Sequence, residues 1–239
     1  MNLILDWGNT RLKTAVFQER NALEVKAFND NYEAELTQLV NSYSFNNILI
    51  SSVINIPYWF NELVKHQNVL FLNHQTSLPI AINYSTPETL GNDRIANAVA
   101  ANSLYPKQNN LIVDVGTCIK FDFVDNKGKY HGGAISPGFS MRLKSLNQFT
   151  DKLPLIKNSI PNNLVGNSTE QSILSGVYYG MLEEIKGIIN QYESLYSNLT
   201  IFITGGDAFY FEKALKTTIF AHSFLTLYGL NEILNYNAK

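Results

Sequence analysis

The apolar positions of the first half of the chain predict three short strands in succession. Apolar runs lie at residues 3–5, 12–17 and 23–28, and the first run stops at Asp6. The remaining pattern of this half predicts four further elements: a helix over residues 33–42, a buried strand over 47–53, a helix from Pro57 to Val64 and a strand over 69–71.

The second half begins with the same pattern. An apolar run at residues 111–113 ends at Asp114, and returning strands are predicted over 119–124 and 129–135. Residues 3–17 and 111–124 therefore form an internal repeat, in which a strand ends in Asp-x-Gly and a polar turn leads into another strand. Meanders alternating with helices in two copies predict an α/β duplication with mixed sheets, and we expect lobes at residues 1–105 and 106–239.

The clearest helical pattern lies between Ser168 and Tyr192. Its apolar positions share one helical face, formed by Ile173, Val177, Met181, Ile185 and Ile188. Ser168 with Gln171 three residues later predicts a capping box at the start of this helix. Gly176 and Gly180 suggest close backbone packing, either against a sheet or against a second subunit.

Composition narrows the function classes. Hydrophobic residues make up 45% and charged residues 16%, which is enough apolar material for real cores. A net charge of −2 without a basic cluster does not favour nucleic acid as a partner. No apolar run approaches a membrane span, no signal peptide is predicted, and a single cysteine, Cys118, cannot form an internal disulfide. We expect a soluble protein that does not bind membranes.

The first polar turn reads Asp-Trp-Gly-Asn-Thr over residues 6–10. Gly8 lets backbone N–H groups approach phosphate oxygens, and Asn9 and Thr10 add side-chain donors. Asp6 would act on phosphate through Mg²⁺ or its waters. An ordinary polar β-turn is the alternative interpretation of this segment alone.

Two further segments extend the phosphate hypothesis. Asp114-x-Gly116-Thr117 repeats the first turn, and two such loops could grip both ends of a triphosphate. Thr204-Gly205-Gly206 follows a predicted strand and could let adenine and ribose lie against the backbone. Each segment is weakly specific alone, whereas their order and spacing together favour an ATP site.

These three segments resemble the phosphate 1, phosphate 2 and adenosine motifs of the acetate and sugar kinase, chaperone ATPase and actin superfamily. Within it, the chain resembles the type III pantothenate kinases in Gly-Asn-Asp-Arg at residues 91–94, in the Asn-Ala-Val-Ala-Ala stretch at 97–101 and in the stretches at 132–138 and 166–169. The resemblance spans positions 6 to 206 in the family's order.

The resemblance implies two duplicated ribonuclease-H-like lobes with an ATP cleft between them. It also implies a cytoplasmic homodimer that phosphorylates pantothenate to 4'-phosphopantothenate, the first step of coenzyme A biosynthesis. The expected cofactors are Mg²⁺ with ATP and a monovalent cation, K⁺ or NH₄⁺.

The site residues that the resemblance implies fall into three groups. The ATP-binding group is Asp6, Trp7, Gly8, Asn9, Thr10, Arg11, Leu12, Lys13 and Thr117. The pantothenate group is Tyr84, Gly91, Asn92, Asp93, Arg94 and Thr169, with Asp93 as the proton acceptor. Asp114 resembles the ligand of the monovalent cation.

The chemistry of Asp93 also follows from the reaction. Phosphoryl transfer to a primary alcohol needs a base that orients the hydroxyl in line with the γ-phosphate. Arg94 beside it could pair with a substrate carboxylate or with phosphate. Taken without the other motifs, Asp93 and Arg94 would more simply form a salt bridge in a loop.

The chain departs from the family at Cys118 and Lys120, where many members carry Ala and Thr. Cys118 is expected to be a small buried residue, and Lys120 puts a positive charge near the predicted cation ligand. Two alternative functions stay open at this point. One is a sugar kinase of the same superfamily, and the other is an ATP-binding regulatory or accessory protein.

Overall fold

Each of the two units of this chain is built on its own sheet. The computed structural model describes residues 1–8, 11–29, 32–215 and 219–238. Unit 1 comprises Met1–Leu104 together with Leu225–Lys239, and unit 2 comprises Tyr105–Phe224. Unit 2 therefore interrupts unit 1 along the sequence.

The sheet of unit 1 has the strand order β3-β2-β1-β4-β5. Its meander β1–β2–β3 is antiparallel, whereas β4 runs parallel to β1 and β5 parallel to β4. The elements of this unit are β1 (Asn2–Trp7), β2 (Leu12–Gln18), β3 (Asn21–Phe28), α1 (Glu33–Ser42), β4 (Asn47–Ser52), α2 (Tyr58–Val64), β5 (Val69–Phe71), β6 (Ala81–Ile82), a 3-10 turn (Pro87–Thr89), α3 (Asn92–Leu104) and α6 (Leu225–Asn237).

The sheet of unit 2 repeats this arrangement. Its strands have the order β11-β10-β7-β8-β9, with an antiparallel meander β7–β8–β9 and with β10 and β11 parallel to β7. The elements are β7 (Asn109–Val115), β8 (Cys118–Val124), β9 (Lys129–Pro137), α4 (Phe139–Gln148), α5 (Thr169–Leu195), β10 (Leu199–Thr204), two 3-10 turns (Ala208–Tyr210 and Glu212–Ala214) and β11 (Ile219–Ala221). The matching orders confirm the predicted α/β duplication with mixed sheets.

The final helix, α6, differs from the sequence prediction, which assigns residues 225–239 to the second lobe. It packs instead on α3 of unit 1, where Thr226 Oγ1 donates to Asn97 Oδ1 at 2.9 Å. Asn231 lies fully buried on the same helix and accepts a hydrogen bond from Asn2 on β1. Gly229 allows the closest approach, because a methyl group there would lie 1.7 Å from the Ala96 carbonyl oxygen.

The long helix α5 follows the predicted pattern over 27 residues. Ser168 Oγ accepts a hydrogen bond from the Gln171 amide at 3.3 Å, which confirms one half of the predicted capping box. Gly176 and Gly180, however, have no neighbour within 4 Å of an added Cβ, so they do not pack closely against the sheet. The interpretation that they meet a second subunit stays a prediction. Along the described ranges, none of the helices combines the length and apolarity that a membrane span needs.

Candidate active site

The β1–β2 hairpin carries the first predicted phosphate turn. Asp6 lies near the end of β1 and faces Lys13 across the antiparallel pair. The Gly8 amide donates to the Arg11 carbonyl at 3.0 Å, which fixes the start of the turn. Asn9 and Thr10 fall outside the described residues. The polar side chains that this hairpin brings close together are therefore those of Asp6 and Lys13, with Arg11 exposed beside them.

Trp7 and Leu12, two residues of the predicted ATP-binding stretch, have their side chains in the core. Each is only 1% exposed, and Trp7 Nε1 donates to the Tyr32 hydroxyl at 2.9 Å. The Trp7 carbonyl oxygen in turn accepts from the Val53 amide at 3.1 Å. The side chains of Trp7 and Leu12 therefore hold the hairpin on the sheet and are not placed to contact a nucleotide.

The segment of residues 91–94, which we expect to be a loop, is the start of a helix instead. The Gly91 carbonyl accepts from the amides of Arg94 at 3.1 Å and Ile95 at 3.2 Å, so Asp93 lies in the first turn of α3. Asp93 Oδ1 accepts from the Arg94 amide at 2.9 Å. The positive end of the helix dipole favours a carboxylate at this position.

Gly91 leaves room for the Asp93 carboxylate. A methyl group at Gly91 would lie 2.6 Å from Asp93 Oδ1. Asn92, the next residue of this segment, contacts the residue that follows β5, because its Nδ2 donates to the Leu72 carbonyl at 3.4 Å. Gly91 and Asn92 therefore position Asp93 at the helix start.

Arg94 brings a buried positive charge to the same helix turn. Arg94 is 5% exposed, and its guanidinium carbon lies 5.8 Å from the ring centroid of Tyr84. A guanidinium over an aromatic ring at this distance makes a cation–π contact. Two residues of the predicted pantothenate group are thus in contact within unit 1, where a planar cation suits a substrate carboxylate.

The β7–β8 hairpin of unit 2 carries an ion pair at the predicted cation ligand. Asp114 and Lys120 lie opposite each other in the antiparallel register, and Lys120 Nζ is 2.8 Å from Asp114 Oδ2. The Lys120 side chain is 20% exposed, and the Asp114 side chain is 12% exposed. Cys118, which we expect to be buried, is instead half-buried and accepts with its carbonyl from the Gly116 amide at 3.0 Å.

Two glycines pack directly on this hairpin turn. A methyl group at Gly138 would lie 2.1 Å from the Gly116 carbonyl oxygen, and the Gly138 amide donates to the Thr117 carbonyl at 3.1 Å. Gly205 has a φ of +98°, and its added Cβ would lie 2.5 Å from Asp114 Oδ1. Gly205 is therefore required for packing within unit 2, whereas Gly206, with no neighbour within 4 Å, is the open glycine of the pair.

We expect Gly205→Ala to lower the free energy of unfolding by about 3 kcal/mol, because it combines a strained φ with backbone overlap. Its Cβ would meet the Val115 carbonyl oxygen at 2.3 Å. Urea denaturation followed by circular dichroism measures the change. Gly206→Ala is the matched control and should stay within about 1 kcal/mol of the parent protein. Equal stability of the two variants would show that Gly205 does not need its conformation.

Arg142 and Glu184 were not predicted, yet they hold the strand end that carries Gly138. Arg142 Nε donates to the Pro137 carbonyl at 2.7 Å, and its guanidinium pairs with Glu184 of α5, which also accepts from the Ser136 hydroxyl. Arg142 and Glu184 are separated by 42 positions. No short-range sequence pattern predicts such a pair, because neither residue belongs to a recognisable motif.

Thr169, predicted to contact pantothenate, is the first residue of α5 and is exposed. The turn before it is compact, since Ser172 Oγ donates to the Gly166 carbonyl at 3.3 Å. A methyl group at Gly166 would lie 2.4 Å from the Ser172 amide nitrogen. Gly166 therefore allows the turn that presents Thr169 at the start of the helix.

The residues fit Mg²⁺ that arrives with ATP. Within the described ranges, no group of three or more His, Cys, Asp or Glu side chains could hold a metal ion. Mg²⁺ in kinases is typically held by one or two carboxylates together with substrate phosphates, so it needs no such group. Asp6, half-buried near the end of β1, is a carboxylate of this kind.

Asp114 fits a monovalent cation less well. Its Oδ2 already has the Lys120 ammonium at 2.8 Å, and its Oδ1 faces Gly205. The positive charge at Asp114 therefore comes from the chain itself.

Two solved structures share the fold of this chain. A Campylobacter jejuni structure, named as a candidate Baf-family transcriptional activator, has a TM-score of 0.62 and 21% identity, covering 99% of this chain and 98% of that one. The activator of 2-hydroxyisocaproyl-CoA dehydratase from Clostridium difficile, solved with bound ADPNP, has a TM-score of 0.58 and 10% identity, covering 99% and 95%. These similarities show that both proteins share the fold of this chain.

Sequence similarity then identifies the family. The model of the type III pantothenate kinase family matches residues 2–191. The type III pantothenate kinase of Phocaeicola vulgatus is 44% identical over 247 residues, with 100% of each chain covered. This chain belongs to the type III pantothenate kinases.

Proposed function

We propose that this protein transfers the γ-phosphoryl group of ATP to pantothenate and forms 4'-phosphopantothenate, the first step of coenzyme A biosynthesis. Full-length membership of the kinase family supports the reaction. The observation that carries the acceptor assignment is the first turn of α3, where Asp93 lies next to buried Arg94 and the guanidinium of Arg94 contacts Tyr84.

In the proposed mechanism Asp93 receives the proton of the acceptor hydroxyl. One carboxylate oxygen is oriented by the Arg94 amide, so the group is positioned before substrate binds. The transition state of phosphoryl transfer is loose, and a base therefore acts mainly by orienting the hydroxyl in line with the γ-phosphate. Arg94 would pair with the pantothenate carboxylate, with Tyr84, Gly91, Asn92 and Thr169 as further substrate contacts.

The ATP phosphates would bind at the two repeated hairpin turns. In the first, we propose contacts from Asp6, from residues 8–11 and from Lys13, with the cations of Arg11 and Lys13 meeting phosphate charge. In the second, the exposed Thr117 would contact ATP. Mg²⁺ bound with ATP neutralises charge on the phosphates, and Asp6 would hold it directly or through water.

The remaining partners follow from the family resemblance. We propose a homodimer located in the cytoplasm, in which the exposed Gly176 and Gly180 of α5 face the second copy. Sedimentation velocity of the purified protein should then give about twice the 26.9 kDa chain mass. A monomer at micromolar concentration would contradict the dimer.

A substrate panel tests the proposed reaction. The protein is incubated with Mg²⁺-ATP and pantothenate, glucose or N-acetylmannosamine, and ADP release is coupled to NADH oxidation. We expect turnover with pantothenate and none with the two sugars. Sugar phosphorylation without pantothenate turnover would identify a sugar kinase, and ATP binding without turnover of any acceptor would favour a regulatory protein.

The Asp114 carboxylate, which the family resemblance implies as the ligand of K⁺ or NH₄⁺, is already paired with Lys120. The ion pair at Asp114 does not fit a bound monovalent cation, and no step of the mechanism is assigned to one.

A further inference from the structure

We propose that the Lys120 ammonium takes the place of a monovalent cation at Asp114, so that phosphoryl transfer by this protein does not depend on K⁺ or NH₄⁺. The inference rests on the proposed kinase function and concerns the same ATP site. Lys120 would act through Asp114 and the turn that follows it, as a positioning residue.

The geometry places the charge where a bound cation would lie. Lys120 Nζ is 2.8 Å from Asp114 Oδ2, which is the usual distance of a charge-assisted hydrogen bond. The other oxygen, Oδ1, lies against the backbone of Gly205 and Gly116, since added methyl groups there would lie 2.5 and 3.9 Å from it. An ion bound to the carboxylate would therefore have to displace the lysine.

The pairing is built into the strand register and does not depend on a flexible surface contact. Asp114 and Lys120 are direct cross-strand partners in β7 and β8, so their side chains leave the same face of the sheet. Asp114 is 12% exposed and Lys120 20% exposed as side chains, which restricts the room for other positions of the ammonium. The register of the sheet therefore brings the two charges together.

The internal repeat supports a role at the nucleotide. In unit 1, Lys13 lies opposite Asp6 at the equivalent position of the β1–β2 hairpin. Both units thus present an acidic residue before the glycine turn and a lysine directly across from it. A lysine at this place adds a positive charge beside a turn that would bind an anionic phosphate.

The charge of Lys120 is expected to affect the binding of ATP more than the binding of pantothenate. Gly116 and Thr117 follow Asp114 directly, and Thr117 is the proposed ATP contact. An unneutralised carboxylate beside a polyphosphate repels it, and the low exposure of this pair limits screening by water. Lys120 removes that repulsion without an ion from solution.

The first experiment uses the unmodified protein. Initial rates with pantothenate and Mg²⁺-ATP are measured at constant ionic strength with tetramethylammonium as the sole monovalent cation, and then with K⁺, NH₄⁺ or Na⁺. We expect kcat/KM for ATP to change by less than about twofold among these salts, since only general screening differs. A rise of about tenfold or more with K⁺ or NH₄⁺, but not with Na⁺, would overturn the inference.

The second experiment removes the ammonium. Lys120→Ala should raise KM for ATP by about tenfold or more in tetramethylammonium, with a smaller change in kcat, because a buried carboxylate is left uncompensated. K⁺ or NH₄⁺ should restore part of the loss. Lys186→Ala is the matched control, since Lys186 also pairs with a carboxylate, that of Glu183, on α5. Unchanged kinetics of the Lys120 variant in every salt would contradict the proposal.

Thermal unfolding supplies a readout that does not need catalysis. K⁺ should raise the Tm of the Lys120→Ala variant more than Na⁺ does, because an ion that binds the folded state stabilises it. The unmodified protein should show no such difference. If pantothenate is not phosphorylated in any salt, the proposed function fails, while these Tm series still decide whether Lys120 occupies the cation position. A K⁺-specific Tm rise in the unmodified protein would overturn the inference.

Discussion

Replacing Asp93 by asparagine is expected to reduce the turnover of pantothenate by at least about 10²-fold, the usual scale for the loss of a general base. The amide can keep the hydrogen bond that Asp93 Oδ1 accepts from the Arg94 amide, and it fits beside Gly91 as the carboxylate does. It cannot accept the hydroxyl proton. The coupled assay gives kcat, and isothermal titration calorimetry gives the affinity for ATP, which should be retained.

A matched variant separates this effect from a general loss of acidic charge. Glu88 lies in the 3-10 turn shortly before α3 and is exposed, so Glu88→Gln makes the same chemical change outside the site. We expect its turnover to equal that of the parent protein. If Asp93→Asn also keeps full turnover, Asp93 has no part in proton transfer and the acceptor assignment must change.

Gly229→Ala is expected to cause a large loss of stability. The new Cβ would lie 1.7 Å from the Ala96 carbonyl oxygen and 2.4 Å from its carbonyl carbon, so α6 must move away from α3. We expect the free energy of unfolding to fall by about 3 kcal/mol or more, the upper range for overpacking. That corresponds to a Tm lower by roughly 6–12 °C, which differential scanning calorimetry measures.

Gly187→Ala is the control for this change. Gly187 also lies inside a helix, α5, but an added Cβ would have no neighbour within 4 Å. Alanine there should raise stability by up to about 1 kcal/mol, because it restricts the unfolded backbone. Similar Tm values for the alanine variants at 229 and 187 would contradict the close contact between α3 and α6.

Patterns confined to one element predicted much of the fold. The expected bounds of α1 and β5 agree with the structure. The apolar residues of α1 share one helical face, and β5 is a short apolar run. The repeat of strand, Asp-x-Gly turn and strand predicted a duplication with mixed sheets, and the sheets of the two units have matching strand orders. The register then places Lys120 opposite Asp114, so the ion pair was present in the sequence as two charges on neighbouring strands.

Features that depend on distant residues were not predicted. The assignment of α6 to unit 1 depends on α3, from which it is separated by the whole of unit 2. A glycine within a helix, as at Gly229, gives no sign of the helix on which it packs. The motif assigned Trp7 and Leu12 to ATP, but their burial depends on a sheet core and, for Trp7, on the Tyr32 hydroxyl. The roles of the individual site residues stay predictions, which the variants described above would test.

The place of α6 in the chain has a consequence for biosynthesis. A ribosome completes the residues of unit 2 before it makes α6, although α3 was made long before. All strands and helices of unit 2 have been synthesised at that moment. Ala96 of α3 is fully buried in the folded protein. The side of α3 around it is not covered by α6 until Gly229 has been synthesised. Nascent chains are therefore exposed to aggregation or chaperone binding at α3 during the synthesis of unit 2.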